Sequence, residues 1–458
     1  MQSSKIENLE NIKKIYFIGI GGSGMFPIAQ ILKHKGFEIA GTDTYESDTL
    51  DKVRKLGIQV NTEHKSENVI GYDLVVFSAA IKETNPEIQA AIQQGIPIVE
   101  RSVMLGIIFK DYANAIGVAG THGKTTTTSM ITTVLIDADK SPTSVIGGTL
   151  SKINGNSSVG DSDIIVGEAC EYVDSFLQLY PKISVITNVD ADHLDYFGTL
   201  ESVIKSFAQF ASQTSELLIV NGDDDNAVTS VKNASAKKIF FGFNKTNDYY
   251  ADNISFDKLQ CADFDIISKE KKITHIKLNV PGKHNVYDAL AAFVTCSELG
   301  VEPMIIAKAL HGFTGAHRRF EILYNKNGIV IADDFAHHPT EIEAILSTVK
   351  SMNFNKMWTI FQPHTFSRTY KFLDEFAKAL SISDEVIISD ILPVREVNTY
   401  GVEPTDLTKK MQNAVHIPTF EEITEYILSH VQEGDIVLTM GGGNVYKCAN
   451  MIVDSLNK

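Results

Sequence analysis

A short apolar run that breaks into a loop of small residues before a helix pattern constrains the fold of this chain more than any other feature. Residues 115–119 are apolar, residues 120–125 read Gly-Thr-His-Gly-Lys-Thr, and residues 126–136 have the pattern of a helix. In such a loop the backbone N–H groups face phosphates, the lysine reaches the β- and γ-phosphates, and the threonine hydroxyl is placed to ligate magnesium. The pattern therefore predicts a strand–loop–helix unit that binds a nucleoside triphosphate.

The loop departs from the strict phosphate-loop pattern, because Val118 stands where that pattern has a glycine. Gly120 and the four threonines at 125–128 compensate for the difference. The alternative, a solvated turn with a chance lysine, does not explain the buried strand before it. The predicted contacts to the nucleoside triphosphate are Gly120, Thr121, His122, Gly123, Lys124, Thr125 and Thr126.

Strand and helix patterns alternate along the whole chain, which predicts an α/β fold with parallel sheets covered on both faces. The predicted strands are 15–19, 38–42, 74–78 and 96–99, then 115–119, 164–167, 183–188 and 217–221, then 328–333, 356–362, 385–389 and 435–440. Residues from about 237 to 280 show short β-like runs with polar interruptions. They predict an antiparallel insertion at the edge of the middle domain.

The length of 458 residues predicts three domains of about 150 residues each. A new strand–helix series begins near residue 107 and again near residue 318. We therefore predict domains at 1–107, 108–318 and 319–458, each built on a largely parallel sheet. Polar clusters follow most of the strands, and ligands of open α/β sheets bind at that edge.

The net charge and the cysteine spacing limit the kinds of partner and metal site that this chain can have. The formal net charge of −16 and the pI near 5.3 offer no basic face for nucleic acid or an anionic membrane. The four cysteines lack disulfide or zinc spacing. Residues 1–14 lack an apolar signal core, and no apolar run reaches the roughly 18 residues that span a bilayer. We expect a cytoplasmic protein that binds phosphates through helix ends and a few concentrated cations, such as those at 317–319 and 364–368.

A second phosphate-binding signature lies near the start of the chain. Gly19, Gly21 and Gly24 fit G-x-G-x-x-G between a strand and a helix, and Asp43 follows the next strand. The alternative is a glycine turn that permits tight helix packing. The signature does not distinguish a nicotinamide cofactor from a UDP-type ligand, because both present a pyrophosphate to a helix end.

Two further pairs of residues have both a functional and a structural interpretation. Glu168 and His193 at neighbouring strand ends could complete a magnesium shell or hold a water, or the histidine could orient a carboxylate. His284 and Asn285 open a buried helix and suit either the edge of adenine or a helix cap.

Together these residues resemble the ATP-dependent Mur ligases, the amide-forming enzymes of peptidoglycan precursor synthesis, and the resemblance covers all three domains. The paired histidines before Pro339 point to the member that adds L-alanine to UDP-N-acetylmuramate. The motifs that carry the resemblance are Gly-Ile-Gly-Gly-Ser-Gly-Met at 19–25, Ser-Ala-Ala-Ile at 78–81, the loop at 120–125, Glu-Ala-Cys-Glu at 168–171, Thr-Asn-Val-Asp-Ala-Asp-His at 187–193, His-Asn at 284–285, Arg-Arg-Phe-Glu at 318–321, Asp-Asp-Phe-Ala-His-His-Pro-Thr-Glu at 333–341 and Phe-Gln-Pro-His at 361–364.

The resemblance implies a Rossmann-like UDP-binding domain, a central ATP-binding domain and a C-terminal Rossmann-like domain. It implies a monomer or weak homodimer that takes two small-molecule substrates besides ATP and Mg²⁺. The implied substrate contacts are Gly21, Ser23, Gly24, Asp43, His64, Ser78, Asn188, His337, His338 and Arg368. The implied nucleotide contacts beyond the loop are His284, Asn285, Arg319 and Asp334, the magnesium ligands are Thr125, Glu168 and His193, and the catalytic residues are Lys124, His193, His337 and Arg368.

Three departures from the family pattern stand out. Asp288 occupies a place where many members have asparagine, Thr365 stands where some carry an arginine, and Asn444 replaces a more usual aspartate. No lysine matches the carbamylated, magnesium-bridging residue of some relatives. The implied reaction runs through an acyl phosphate, with His337 or His193 as the candidate proton acceptor.

Three other functions remain open from the sequence. A recycling ligase would join an intact peptide to the same sugar acid. The first domain alone would also fit an NAD(P)-dependent oxidoreductase, against which the central loop argues. A nucleotide-gated binding protein would bind ATP without ligase chemistry.

Overall fold

The structure, a computed structural model, describes residues 4, 6, 8–315, 317–394 and 396–457, with the backbone alone at residue 195. The chain divides into two compact units. The first runs to Ile254 and includes Asp263–Lys277 and Lys283–Phe313, and the second contains Ser255–Ala262, Leu278–Gly282 and the chain from Thr314. Three sheets, mostly parallel, lie in these units, so the predicted three-domain α/β architecture is confirmed.

The first sheet has five parallel strands in the order β3-β2-β1-β4-β5. The strands β2 and β3 lie on one side of β1, and the strands β4 and β5 that follow them in the chain lie on its other side. The strand order therefore reverses between β1 and β4, and the carboxyl ends of these two strands form a switch point of the kind that binds ligands in open sheets. Its elements are β1 Lys14–Ile18, α1 Phe26–His34, β2 Glu38–Thr42, α2 Asp48–Lys55, β3 Gln59–Asn61, a 3-10 turn at Ser66–Val69, β4 Leu74–Phe77, α3 Pro86–Gln93, β5 Ile98–Glu100 and α4 Arg101–Lys110.

The second sheet has the strand order β15-β14-β13-β12-β11-β10-β6-β9-β7-β8, with β6 in its interior. Its elements are β6 Asn114–Ala119, α5 Lys124–Asp137, β7 Thr143–Leu150, β8 Gly155–Ser158, β9 Ile164–Glu168, β10 Ile183–Ile186, α6 Leu194–Phe197, α7 Leu200–Gln213, β11 Leu217–Asn221, α8 Asp225–Val231, β12 Lys237–Gly242, β13 Tyr249–Phe256, β14 Cys261–Ser268, β15 Lys271–Pro281, α9 His284–Glu298 and α10 Pro303–His311, with 3-10 turns at Ser151–Ile153 and Tyr172–Gln178.

The predicted antiparallel insertion begins later than expected. β12 is parallel to β11 and β13 is parallel to β12, so the parallel sheet continues beyond residue 237. Only two residues, Lys269 and Glu270, join β14 to β15, and both have positive φ (49° and 61°). That geometry is typical of a tight hairpin between antiparallel strands. The insertion is therefore confirmed at the sheet edge and wrong for its first strands.

The third sheet has the order β16-β17-β21-β18-β19-β20, with only β16 antiparallel to its neighbour. Its elements are β16 Glu321–Lys326, β17 Ile329–Asp334, α11 Pro339–Lys350, β18 Met357–Phe361, α12 Phe366–Lys371, α13 Leu373–Leu380, β19 Glu385–Ile388, α14 Pro404–Thr408, β20 Ala414–His416, α15 Phe420–His430, β21 Ile436–Met440 and α16 Tyr446–Leu456. Apolar cores lie on both faces of the sheet.

Each predicted strand is present with small shifts at its ends, and the strands that the pattern missed are short or lie near sheet edges. β3 reads Gln-Val-Asn and β20 reads Ala-Val-His, so neither contains the apolar run on which a strand prediction depends. Among the described residues, no helix combines the length and the apolarity needed to cross a bilayer.

Candidate active site

The loop between β6 and α5 has the backbone shape that the sequence predicts for a phosphate loop. Gly123 precedes α5 with φ of 84°, in the left-handed region that favours glycine. At Gly120 any side chain would collide with the Thr187 hydroxyl. The loop therefore depends on glycine at both positions, and α5 starts at Lys124 with its first turn directed into the loop.

The segment after β10 holds this loop in place. The Thr187 hydroxyl donates to the His122 carbonyl at 2.6 Å, and the His122 N–H donates to Asn188 Oδ1 at 2.8 Å. The Asp190 N–H donates to Thr121 Oγ1 at 2.8 Å. Asn188, predicted to contact substrate, thus uses its side chain to position the loop, and His122 exposes its imidazole.

Lys124 is held at the loop by three acceptors. Its ammonium donates to the carbonyls of Gly120 at 2.5 Å and Thr121 at 3.1 Å, and it lies 2.9 Å from a carboxylate oxygen of Glu171. The two charged side chains are 15% and 2% exposed, so water screens their attraction weakly. Glu171 stands in the motif at 168–171, but nothing in the sequence marks it as the partner of Lys124.

Two of the three predicted magnesium ligands flank one short stretch of β7. The Gly147 N–H donates to Glu168 Oε1 at 2.5 Å, and a methyl group at Gly148 would lie 3.1 Å from the Thr125 methyl carbon. His193, the third predicted ligand, has φ of 51°, and its ring packs 4.8 Å from the Tyr172 ring.

The donor set fits a hard cation in part. A hydroxyl and a carboxylate are ligands that Mg²⁺ prefers, whereas imidazole suits it less well. Within the described residues, no three Asp, Glu, His or Cys side chains gather as a metal site. Thr125 and Glu168 could therefore serve as the protein ligands, and the role of His193 stays a prediction.

Asp288 lies beneath the loop. The Thr127 hydroxyl donates to its Oδ1 at 2.9 Å, and a Cβ at Gly123 would come within 2.5 Å of the same oxygen. Its Oδ2 is buried without a hydrogen-bond partner among the described residues, and burial raises the pKa of the carboxyl to about 7. Asp288, which departs from the family pattern, therefore stabilises the start of α5 and the loop before it through its hydrogen bond with Thr127.

The wild-type protein is expected to lose stability as pH rises from about 4 to 7, and replacing Asp288 with asparagine should remove that loss. The folded carboxyl, with its pKa near 7, keeps a proton that the unfolded chain releases near pH 4, so stability falls as pH rises through that window. The fall is at most about 4 kcal/mol, and asparagine cannot ionise. Calorimetric unfolding of Asp288→Asn should therefore show the larger gain over wild type at pH 8 and little gain at pH 4.

Asp225→Asn is the matched control, because Asp225 is exposed on the same unit. The stability of this variant should depend on pH in the same way as that of the wild-type protein. An Asp288→Asn protein whose stability falls with pH as steeply as wild type would contradict the buried, protonated carboxyl.

The start of α9 forms a candidate surface for a base. His284 and Asn285 contact each other at 3.3 Å, and burial lowers the pKa of His284, so its imidazole is neutral near pH 7. Beside them the rings of Phe243 and Tyr287 lie 4.2 Å apart, and the Tyr287 hydroxyl donates to Asp223. The His-Asn pair is recognisable in the sequence, whereas the two aromatic residues are not, because Phe243 lies on a distant loop.

In the first domain the glycine loop meets the ends of two strands. The Gly21 N–H donates to Asp43 Oδ2 at 2.9 Å, and a Cβ at Gly19 would lie 3.5 Å from Ser78 Cβ. Ser23 accepts a hydrogen bond at its carbonyl from Asn156 Nδ2 at 2.9 Å. The structure therefore brings the predicted contacts of this loop together at the switch point of the sheet.

His64, predicted to contact substrate, is bound to a buried carboxylate. Its Nδ1 lies 2.6 Å from Oε2 of Glu87, whose side chain has no exposed surface. The other carboxylate oxygen accepts from Asn68 at 2.7 Å, Tyr16 at 3.2 Å and Thr42. The sequence gives no sign of this role for Glu87, because a glutamate in the first turn of a helix pattern predicts a solvated side chain.

Of the two adjacent arginines in the third domain, Arg318 is buried and Arg319 is exposed. Arg318 pairs with Asp333 at 2.7 Å and donates to the carbonyls of Gly441 at 2.6 Å and Gly443 at 2.5 Å. Its φ of 61° turns the chain so that the guanidinium points into this domain. Arg319, predicted to contact the nucleotide, is left with an exposed side chain.

Asp334, also predicted to contact the nucleotide, is bound to local backbone. Its carboxylate accepts from the N–H groups of Phe320 and Ala336, both at 2.7 Å. Burial raises its pKa to about 6, and those two hydrogen bonds oppose the shift. Its geometry therefore shows a loop-positioning role, and any contact with the nucleotide stays a prediction.

The predicted amino-acid site gathers three cationic or titratable side chains. The rings of His337 and His364 lie 5.9 Å apart, and burial, Arg368 and His337 together lower the pKa of His364. His364 Nδ1 and Arg368 Nη1 are both buried without a hydrogen-bond partner in the part of the chain that the structure describes. His338 caps α11 in a capping box with Glu341, and its contact with substrate stays a prediction.

The two remaining departures also have local partners. Asn444 and Gln362 form a reciprocal pair, with Gln362 Nε2 donating to Asn444 Oδ1 and the Asn444 N–H donating to Gln362 Oε1, each at 2.9 Å. An amide can make both contacts without placing a charge there. Thr365 caps α12 through its hydroxyl, which accepts from the Arg368 N–H at 3.4 Å.

A Rossmann-like domain, a phosphate-loop domain and a third α/β domain in this order are the architecture of a class of ATP-using ligases. Family models match all three parts: the Mur ligase family catalytic domain at residues 14–113, the Mur ligase middle domain at 118–296 and the Mur ligase glutamate ligase domain at 318–443. The chain belongs to the Mur ligase family.

Similar proteins match over nearly the whole chain. The chain is 42% identical over 457 residues to a UDP-N-acetylmuramate–L-alanine ligase of Caldanaerobacter subterraneus subsp. tengcongensis, which covers 98% of this chain and 99% of that protein. It is 44% identical over 453 residues to the enzyme of the same name from Caldicellulosiruptor saccharolyticus, covering 97% and 99%. The crystal structure of UDP-N-acetylmuramate–alanine ligase from Thermotoga maritima matches with a TM-score of 0.76 at 30% identity, covering 97% and 99%.

Proposed function

We propose that this chain joins L-alanine to UDP-N-acetylmuramate with hydrolysis of ATP to ADP and phosphate, in the synthesis of peptidoglycan precursors. The observation that carries the proposal is full-length similarity, at 42–44% identity, to ligases of that name. The phosphate loop with its buried lysine supports it, because amide formation from a carboxylate requires an activating phosphoryl donor.

In this proposal the triphosphate binds at Gly123, Lys124, Thr125 and Thr126, with adenine near His284 and Asn285. Thr125 and Glu168, which flank the glycine pair of β7, would hold Mg²⁺, with His193 completing the set. A bound Mg²⁺ supplies Lewis-acid stabilisation of charge on the phosphoryl oxygens. Arg319 and Asp334 remain proposed contacts to the nucleotide.

The first chemical step would activate the sugar acid. A muramate carboxylate oxygen attacks the γ-phosphorus, the bond to the bridging oxygen breaks, and ADP leaves with that electron pair. Lys124 would stabilise the negative charge that spreads over the phosphoryl oxygens. Its Glu171 partner and the two loop carbonyls hold the ammonium at the loop.

The second step would form the amide. The alanine nitrogen attacks the acyl carbon of the acyl phosphate, loses a proton and expels phosphate. His337 is the proposed proton acceptor, and Arg368 with His364 would bind the alanine carboxylate. The two buried nitrogens without hydrogen-bond partners support this assignment, because an unpaired buried donor is costly and a carboxylate would satisfy both.

The proposed substrates and partners are small molecules. We propose that the sugar nucleotide lies on Gly21, Ser23, Gly24, Asp43, His64 and Ser78. The chain would work in the cytoplasm as a monomer or weak homodimer, without nucleic acid or a membrane surface. The negative formal charge of −16 supports the last two points.

Phosphate release across a matrix of sugar nucleotides and amino acids tests this function. We expect release only when ATP, Mg²⁺, UDP-N-acetylmuramate and L-alanine are all present. Glycine and L-serine should react more weakly, since one methyl group is worth about 1–3 kcal/mol of discrimination. Release with UDP-N-acetylmuramate and a tripeptide, but not with L-alanine, would instead establish a recycling ligase.

A further inference from the structure

Arg101 is a cationic residue that lies beside the predicted sugar-nucleotide loop and that no motif identified. It opens α4 directly after β5, so it lies at the carboxyl end of the first parallel sheet. This is the edge at which open α/β sheets bind ligands. The glycine loop at the end of β1 lies at the same edge.

The Arg101 side chain packs directly against the glycine loop. A Cβ at Gly24 would lie 3.1 Å from Arg101 Cδ and 3.4 Å from both Nε and Nη1. Because Gly24 has no side chain, the guanidinium reaches the backbone of the loop. A pyrophosphate bound at a G-x-G-x-x-G loop lies over this backbone and the following helix end.

Within the part of the chain that the structure describes, no hydrogen bond or ion pair engages the guanidinium of Arg101. Its side chain is nevertheless partly buried. Two other arginines of the chain are paired: Arg54 contacts Glu46 at 2.6 Å, and Arg318 contacts Asp333 at 2.7 Å. A guanidinium carries five N–H donors, and leaving them unpaired in a partly buried place is unfavourable.

Arg101 also faces the middle domain. It lines a small cavity of about 30 Å³ together with Glu168 and Cys170, and all three residues belong to the first compact unit. This volume holds about one water molecule. The cavity therefore places Arg101 and Glu168, the proposed magnesium ligand, at the border of one space.

We propose that Arg101 is a substrate-binding residue that pairs with an anionic group of the sugar nucleotide. The inference rests on the proposed function. Two groups of UDP-N-acetylmuramate have the required charge: the diphosphate, which would lie on the glycine loop, and the carboxylate, which must approach the nucleotide near Glu168. Arg101 holds either one through paired, charge-assisted N–H···O bonds.

Titration calorimetry on the intact protein tests this role with two probes. UDP-N-acetylmuramate carries both anionic groups, and UDP-N-acetylglucosamine carries the diphosphate alone. Arg101→Met should weaken binding of UDP-N-acetylmuramate by about 10- to 100-fold, the equivalent of one charged hydrogen-bonded contact. Arg101→Lys keeps the charge but loses the planar guanidinium, so its affinity for UDP-N-acetylmuramate should lie between those of the Arg101→Met variant and the wild-type protein.

The two probes distinguish the bound group. Weaker binding of both nucleotides assigns Arg101 to the diphosphate, and weaker binding of UDP-N-acetylmuramate alone assigns it to the carboxylate. Arg54→Met is the matched control, because it removes an exposed arginine from the same domain. It should leave both affinities unchanged.

Unchanged affinity of Arg101→Met for both nucleotides would overturn the inference. So would a parallel loss of ATP-analogue binding and thermal stability, which would show a structural role. Failure of the wild-type protein to bind UDP-N-acetylmuramate would instead overturn the proposed function, so the two failures are distinguishable.

Discussion

Replacing Lys124 with alanine is expected to abolish ADP formation, with a rate loss on the order of 10³-fold or more. In the proposed reaction the ammonium stabilises the transferring phosphoryl group, and no other cation is bound to the Gly120 and Thr121 carbonyls among the described residues. Sugar-nucleotide binding should survive, because the glycine loop lies on a different sheet. Phosphate release and titration calorimetry measure the two effects separately.

This variant also leaves Glu171 buried without its partner, which costs about 3–5 kcal/mol for a buried pair. The double variant Lys124→Ala with Glu171→Gln removes the stranded charge. It should recover stability without recovering ADP formation. Lys205→Ala, which removes an exposed lysine from the same unit, is the control for charge alone. Near-normal turnover in Lys124→Ala would remove the phosphate-loop assignment.

Replacing Arg318 with methionine is expected to destabilise the second unit by about 3–5 kcal/mol. The change leaves Asp333 buried and unpaired and removes the donors to the Gly441 and Gly443 carbonyls. Trp358, the only tryptophan of the chain, is buried on β18 of the same unit. Its fluorescence during urea unfolding therefore reports on this unit without interference from the first.

Arg319→Met is the matched control for stability, because the neighbouring arginine is exposed. Its free energy of unfolding should stay within about 0.5 kcal/mol of the wild-type value. Adding Asp333→Asn to Arg318→Met should restore part of the loss by removing the unpaired charge. Equal midpoints for the Arg318 and Arg319 variants would show that the buried pair contributes little.

The contrast between these two arginines shows where sequence reasoning stops. Both lie in the motif at 318–321, and the family resemblance implies that Arg319 contacts the nucleotide. The sequence does not show that residue 318 has a φ of 61° and turns its side chain toward Asp333 and the loop after β21. That conformation depends on Gly441 and Gly443, which lie more than a hundred residues further along the chain.

The first domain gives the same lesson for two other residues. Glu87 reads as a helix-start acid, yet tertiary packing buries it against His64, Tyr16 and Asn68. Arg101 belongs to no motif, and only the structure shows that its side chain packs against Gly24. Asp288 likewise differs from the family pattern in sequence, but its place beneath Gly123 follows from the packing of α9 against α5.

By itself the sequence determined the strand–helix alternation, the two glycine loops and the family to which the chain belongs. These are local features, since apolar periodicity, glycine at turns and a lysine beside a helix start act over a few residues. Only the tertiary structure decided which charged side chains are buried, which partners hold them and where the parallel sheet gives way to a hairpin. Those outcomes depend on contacts between residues far apart in the chain, and burial strengthens each of them by excluding water.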